Sequence, residues 1–117
     1  MADWAKIDVS FFRHPQVVQL SEREAVAFLR MILYCQEHET DGHVPDPALR
    51  ACEVTPKQAK SMEGVGLLNR NGTGWVIDGF TRKQRTRAEL ERERDQNRKR
   101  AETARRRKAE KQEADHA

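Results

Sequence analysis

The sequence predicts a mainly α-helical fold with one small β-hairpin, continued by a long charged C-terminal helix. Three observations predict it. Residues 25–35 form an apolar run that follows a helix-start signal at Ser21. A polar-faced helix over residues 55–63 is followed at once by two strand-like runs flanking Asn71-Gly72. After residue 81 the composition changes abruptly to Arg, Lys, Glu and Ala. A helix leading directly into a hairpin is the second half of a winged helix-turn-helix. The expected organisation is therefore a winged-helix domain over residues 1–81 and a basic helical tail over residues 82–117.

Each element has a local reason. Trp4 and Ile7 are expected in a short extended segment. Phe11-Phe12 precede a short helix with Pro15 near its start and Val17, Val18 and Leu20 turned inward, and Trp4, Phe11 and Phe12 are expected to pack in the core. Ser21-Glu22-Arg23-Glu24 fits a capping box. The helix it opens is apolar almost all round, as a helix buried on most sides is, and should fray over residues 36–40 before the Asp41-Gly42 turn. Asp46 before Pro47 reads as an N-cap with proline at the first position, opening a short helix over residues 47–53 with Leu49 and Cys52 facing in. Thr55 and Pro56 repeat that signal for the next helix, whose Ala59 and Met62 share one face. Two short helices joined by a tight turn make a helix-turn-helix, with the second as recognition helix. Gly64 and Gly66 stop it. Strands over residues 66–70 and 74–78 then form the wing (residues 67–78), because Asn and Gly both tolerate positive φ at a two-residue turn. Phe80 closes the core.

Thr86-Arg87-Ala88-Glu89 is a further capping box, so a new helix is expected over residues 88–114. It has no Gly or Pro, and Leu90 is its one apolar residue larger than alanine. Acid-to-base pairs at helical spacing, such as Glu89–Arg92, Glu91–Arg94, Asp95–Arg98, Asp95–Lys99, Glu102–Arg105 and Glu102–Arg106, support it by about 0.2–0.5 kcal/mol each. Apolar heptad positions are missing, which argues for a solvated single helix over a coiled coil. The free tail is expected to be only partly helical and to order on DNA.

Composition narrows the function. The chain has 117 residues, 35% of them charged, so one small core is expected and part of the chain stays outside it. Residues 1–81 hold 11 acidic against 8 basic residues, a net charge of −3, whereas residues 82–117 hold 14 basic against 8 acidic, a net of +6. That asymmetry suggests a folded domain with a nucleic-acid-binding arm. No apolar run reaches membrane-spanning length and the first residues lack signal-peptide character. The expected location is the bacterial cytoplasm, associated with the nucleoid, with Cys35 and Cys52 as free thiols. No phosphate-cradling glycine loop, nucleophile elbow or paired carboxylates are present, which argues against an enzyme. Cys35, His38, His43 and Cys52 are zinc-ligand types, but their spacing fits no common finger. Core thiols and surface histidines are the preferred reading, with no metal or other cofactor.

Several short motifs carry a resemblance: Trp4-Ala5-Lys6-Ile7-Asp8, Phe11-Phe12 with His14-Pro15, Leu20-Ser21, Thr40-Asp41-Gly42 with Val44-Pro45, Gly66-Leu67, and Gly74-Trp75 with Ile77. In this order they resemble small winged helix-turn-helix proteins of actinobacterial phages and mobile elements, similar to the N-terminal domain of phage replisome organisers. The resemblance covers roughly residues 4–80 and implies a winged helix that binds DNA in replication initiation or transcriptional control. No second, helicase-recruiting domain is expected in this sequence, a departure from the organiser pattern that favours a stand-alone DNA-binding protein.

The expected DNA-binding residues fall in three groups. Lys57, Gln58, Lys60 and Ser61 lie on the recognition helix, where Lys suits guanine acceptors and Gln suits adenine. Arg70, Asn71 and Thr73 lie on the wing, within reach of a phosphate or the minor groove. The tail supplies Arg82, Lys83, Arg85 and Arg87 at the domain edge, then Arg98, Lys99, Arg100, Arg105, Arg106, Arg107 and Lys108. That last block sets seven cations against one acid, Glu102. The expected partner is double-stranded DNA, with a homodimer allowed and no membrane contact, because the tail has no apolar face to insert. The alternative is a protein-protein module that presents the acidic winged helix to a host or phage protein, and RNA binding by the tail is a third reading.

Overall fold

A computed structural model describes residues 2–116, the last two of these by backbone alone. The chain forms two compact units that divide after Thr86. The first is a small helical layer packed on a three-stranded antiparallel sheet, and the second is one helix. Among the described residues no helix is long and apolar enough to cross a membrane.

Helix α1 is short (Pro15–Val18) and follows a 3₁₀ turn at Phe11–Arg13. Helix α2 (Glu22–Glu37) starts with the expected capping box: the Ser21 hydroxyl accepts from Glu24 N–H at 3.2 Å and the Glu24 carboxylate accepts from Ser21 N–H at 2.9 Å. Its Phe28, Met31, Ile32 and Cys35 enter the core, while Val26 and Leu33 stay exposed at 37% and 47%. One side of the helix thus faces solvent. Gln36 is buried inside a regular last turn, so the expected fraying is not seen. The expectation of three core aromatics holds for Phe11 alone, which is half-buried and stacks on Phe28 at 6.1 Å. Trp4 and Phe12 are 53% and 61% exposed, and Val18, expected to turn inward, is exposed too. The N-terminal segment runs over the surface, held by the Gln84 side chain, which accepts from Lys6 N–H and donates to Lys6 C=O. This tie carries the first unit past residue 81 and on to Thr86.

Strand β1 (His43–Pro45) has no signal in the sequence, since three residues ending in proline show no alternation. It pairs antiparallel with β3 (Gly74–Ile77), which pairs on its other side with β2 (Leu68–Asn71), giving the order β1-β3-β2. Proline is tolerated because β1 is an edge strand. The hairpin turn is Gly72-Thr73, one residue later than expected, with Asn71 paired to Gly74. Only Gly72 of this stretch has a positive φ (60°), the arrangement in which a type II′ turn places glycine first.

The segment after β1 is a 3₁₀ helix at Asp46–Leu49 followed by turns, where the sequence predicts a helix over residues 47–53. Asp46 is its first residue and makes no capping bond. Helix α3 (Pro56–Gly64) is as expected, with Ala59 and Met62 fully buried. The ends of three helical segments share one device. Thr40 N–H donates to Cys35 C=O, Val54 N–H to Leu49 C=O and Leu67 N–H to Met62 C=O, each at 2.9–3.0 Å. The residue before each donor has a positive φ, of 55° (Glu39), 57° (Glu53) or 85° (Gly66). This is the Schellman pattern, in which glycine suits the left-handed position. Glutamate there carries a steric cost of about 1–2 kcal/mol. Glu53 also lies 3.8 Å from Arg30, but both side chains are exposed and such a pair adds little. Glu53→Gly should therefore stabilise the fold, by about 1 kcal/mol, read as a higher urea midpoint with unchanged slope.

Cys35 and Cys52 are free and buried. Burial pushes the Cys35 thiol up to about 12 and Cys52 up to about 11. Both therefore stay protonated in neutral buffer, and reactive thiolate is scarce. Neither should react with a disulfide thiol reagent in the folded protein, and both should titrate in denaturant. Rapid reaction of either in native buffer would contradict this packing.

Candidate nucleic-acid interface

Helix α3 is held from beneath by Ala59 and Met62 against α2 and β2, which leaves Lys57 and Lys60 exposed. The other two expected base readers are committed elsewhere. The Gln58 side-chain carbonyl accepts from Thr55 N–H at 3.0 Å, while Gln58 N–H donates to the Thr55 hydroxyl at 3.2 Å, a capping box that folds Gln58 back on the helix start. The Ser61 hydroxyl donates to Lys57 C=O at 3.2 Å. It also lies beside Glu24, whose carboxyl is held below the usual range first by Ser61 and then by Ser21. Both side chains are half-buried.

The hairpin's cation is likewise engaged. Arg70 donates from both terminal nitrogens to Asp46, at 2.6 and 2.7 Å, and its guanidinium sits 4.8 Å from the Trp75 ring centroid. Asp46 N–H donates to Thr73 C=O at 3.0 Å, so one residue clamps both the body and the tip of the hairpin. The Arg70 hydrogen bonds hold the Asp46 carboxyl below its usual 3.8, with a smaller part from Trp75. Asn71 and Thr73 remain exposed at the tip. Arg70 is thus a bridged residue where the sequence predicts a free phosphate contact. The correction comes from Asp46, which lies 24 residues away in sequence and reads locally as a helix cap.

An open groove of about 890 Å³ lies between α3 and the hairpin. Arg50, Lys60 and Arg70 line it together with Asp46, Glu53 and Glu63, with Leu49, Val54 and Trp75 among its apolar lining. Sequence reasoning misses Arg50, Glu53 and Trp75 as site residues, since only the turn geometry brings them beside α3. The groove is charge-balanced and does not by itself attract a polyanion.

At the edge of the first unit, Arg82 and Lys83 are exposed on the short helix α4 (Phe80–Lys83). Arg85 packs over the Trp4 ring at 3.7 Å and donates to Trp4 C=O at 3.5 Å. It is a half-buried clamp on the N-terminal segment, which corrects its reading as a free phosphate contact.

The second unit is helix α5 (Arg87–His116). Every residue from 91 to 114 is exposed, as expected of a solvated helix. Asp95 pairs with Arg98, and Arg87 pairs with Glu91. Among the described residues, Lys99, Arg100, Arg105, Arg106, Arg107 and Lys108 make no ion pair, so the expected Asp95–Lys99, Glu102–Arg105 and Glu102–Arg106 pairs are not formed. Exposed pairs return too little energy to fix two long side chains. The consequence is a block of cations available to an external polyanion.

Among the described residues Cys35, His38, His43 and Cys52 form no cluster that could hold a metal ion. Both thiols are buried in the core, and the His38 ring packs on Tyr34 at 4.5 Å. Comparison of the chain with protein-family models, curated proteins and solved structures finds no match.

Proposed function

We propose that this chain is a DNA-binding protein in which a winged helix-turn-helix unit selects the site and the basic C-terminal helix grips the phosphate backbone. The observation that carries the reading is the exposed set of cations between residues 99 and 108 that make no ion pair among the described residues. The order helix, strand, helical turn, helix and hairpin, with the sheet order β1-β3-β2, supports the winged-helix assignment. In this reading α3 presents Lys57 and Lys60 to the major groove, and Asn71 and Thr73 lead the wing. The role we assign is phage or mobile-element replication initiation or transcriptional control, in the bacterial cytoplasm.

The test is selection of duplexes from a random pool by the full chain. A recurrent motif is expected, and Lys57→Ala with Lys60→Ala should flatten it. Absence of any binding at low salt would reject the reading. A second reading, an adaptor for a protein partner, draws on the charge-balanced groove and on the prior commitment of Gln58 and Arg70. It predicts no duplex binding at any salt concentration.

The Asp46 bridge adds a further expectation. Asp46→Asn removes the charge that holds Arg70, so affinity for any duplex should rise and the salt slope should steepen by about one unit. Because the Asp46 carboxyl sits below its usual 3.8, the bridge contributes fully above that pH and is lost as pH falls through the lowered value. Nuclear magnetic resonance of the Arg70 side chain across that range checks the sign.

A further inference from the structure

Helix α5 carries its charge on every side. An α-helix turns by about 100° per residue. With Arg98 as origin, Lys99 and Arg106 lie within about 20° of each other on one flank of the helix. Arg107, Arg100 and Lys111 cluster on the side opposite Arg98, and Lys108 and Arg105 lead back round to it. Arg98 is paired with Asp95; among the other cations of the block no arc wider than about 100° lacks one, and the widest gap holds Glu102. Residues 91–114 are all exposed, so no side of this stretch is taken up by packing.

A helix laid on one duplex turns about half of its circumference toward it. Cations on the opposite side stand off by a helix diameter of about 10–12 Å. That exceeds the Debye length of about 8 Å at physiological salt, so the first duplex barely feels them. We propose that the opposite side of the helix binds a second DNA duplex, so that one chain bridges two segments. This inference rests on the DNA-binding reading above. A second tail is a poor occupant, because two blocks of like charge repel. A duplex is a good one: the block from Arg98 to Lys111 spans about 21 Å of helix, and a duplex presents one negative charge per roughly 1.7 Å of axis along that length.

The experiment uses an immobilised duplex, a labelled free duplex and the full chain near physiological salt. The chain should retain the labelled duplex on the beads, and retention should vanish as salt rises. Two variants remove one side each: Arg100→Gln with Arg107→Gln and Lys111→Gln, and Arg98→Gln with Arg105→Gln and Lys108→Gln. Glutamine keeps helix propensity. Each variant should bind the immobilised duplex more weakly, as loss of three cations requires, and at protein concentrations that restore equal loading its second-duplex retention per bound protein should fall at least fivefold. Binding of the first duplex with no retention of the second by the unaltered chain overturns the bridging proposal and leaves the DNA-binding reading intact. Undiminished retention by both variants also overturns it, since the second duplex would then be held by the first unit or by a dimer. No binding to the immobilised duplex rejects the DNA-binding reading, and bridging with it.

Discussion

Deletion of residues 98–117 should lower the affinity for duplex DNA by about two to three orders of magnitude near 0.1 M salt, equally for all sequences. The deleted segment carries eight of the chain's 22 Lys and Arg residues. If one duplex engages about half of them, the slope of log affinity against log salt should fall by about 3.6 units. Sequence preference should survive, because Lys57 and Lys60 remain on α3. The measurement is a salt titration of binding to a selected site and to an unrelated duplex. A loss confined to the selected site would show that the tail reads bases, contrary to a role confined to phosphate contacts. An unchanged slope would show that the cations between residues 98 and 111 do not touch phosphate.

Met62→Ala should strongly destabilise the first unit and loosen α3 in particular. Met62 is fully buried and is the longest side chain fastening α3 to the core. Large-to-small changes at such sites cost about 2–5 kcal/mol, against roughly 5–10 kcal/mol for a unit of this size. The melting temperature should drop by roughly 10–25 °C. Met62→Leu nearly conserves volume and should cost less than about 1.5 kcal/mol. Below its melting temperature the alanine variant should bind DNA with a weakened site preference and an unchanged salt slope, since α3 loosens while the tail is untouched. A melting temperature within a few degrees of the unaltered chain would mean that α3 is anchored mainly by other contacts.

Features set by neighbours along the chain are legible in the sequence. The capping box at Ser21 and the N-cap at Thr55 form as written because each needs only residues three apart. The hairpin and the tail helix follow from similarly local signals, and the burial of Ala59 and Met62 follows from helical spacing. Features set by distant partners are not legible. Strand β1 exists because β3 is there to pair with it. Trp4 looks like a core aromatic in sequence, yet it lies half outside, under the Arg85 guanidinium.

The site divides along the same line. Sequence alone determined the chemistry on offer: a polar-faced helix, a hairpin and a tail of net positive charge, because composition and period are properties of the chain itself. Tertiary structure decided which of those side chains are available. Gln58 is a borderline case: its capping partner Thr55 is visible in sequence, yet a glutamine on that helix face is equally suited to reading bases. Arg70 is the clear one: its charge is met by Asp46, which reaches it only through the packing of the hairpin against the segment after β1. A hydrogen-bonding group has a limited number of donors and acceptors, and only the folded chain shows which are already spent.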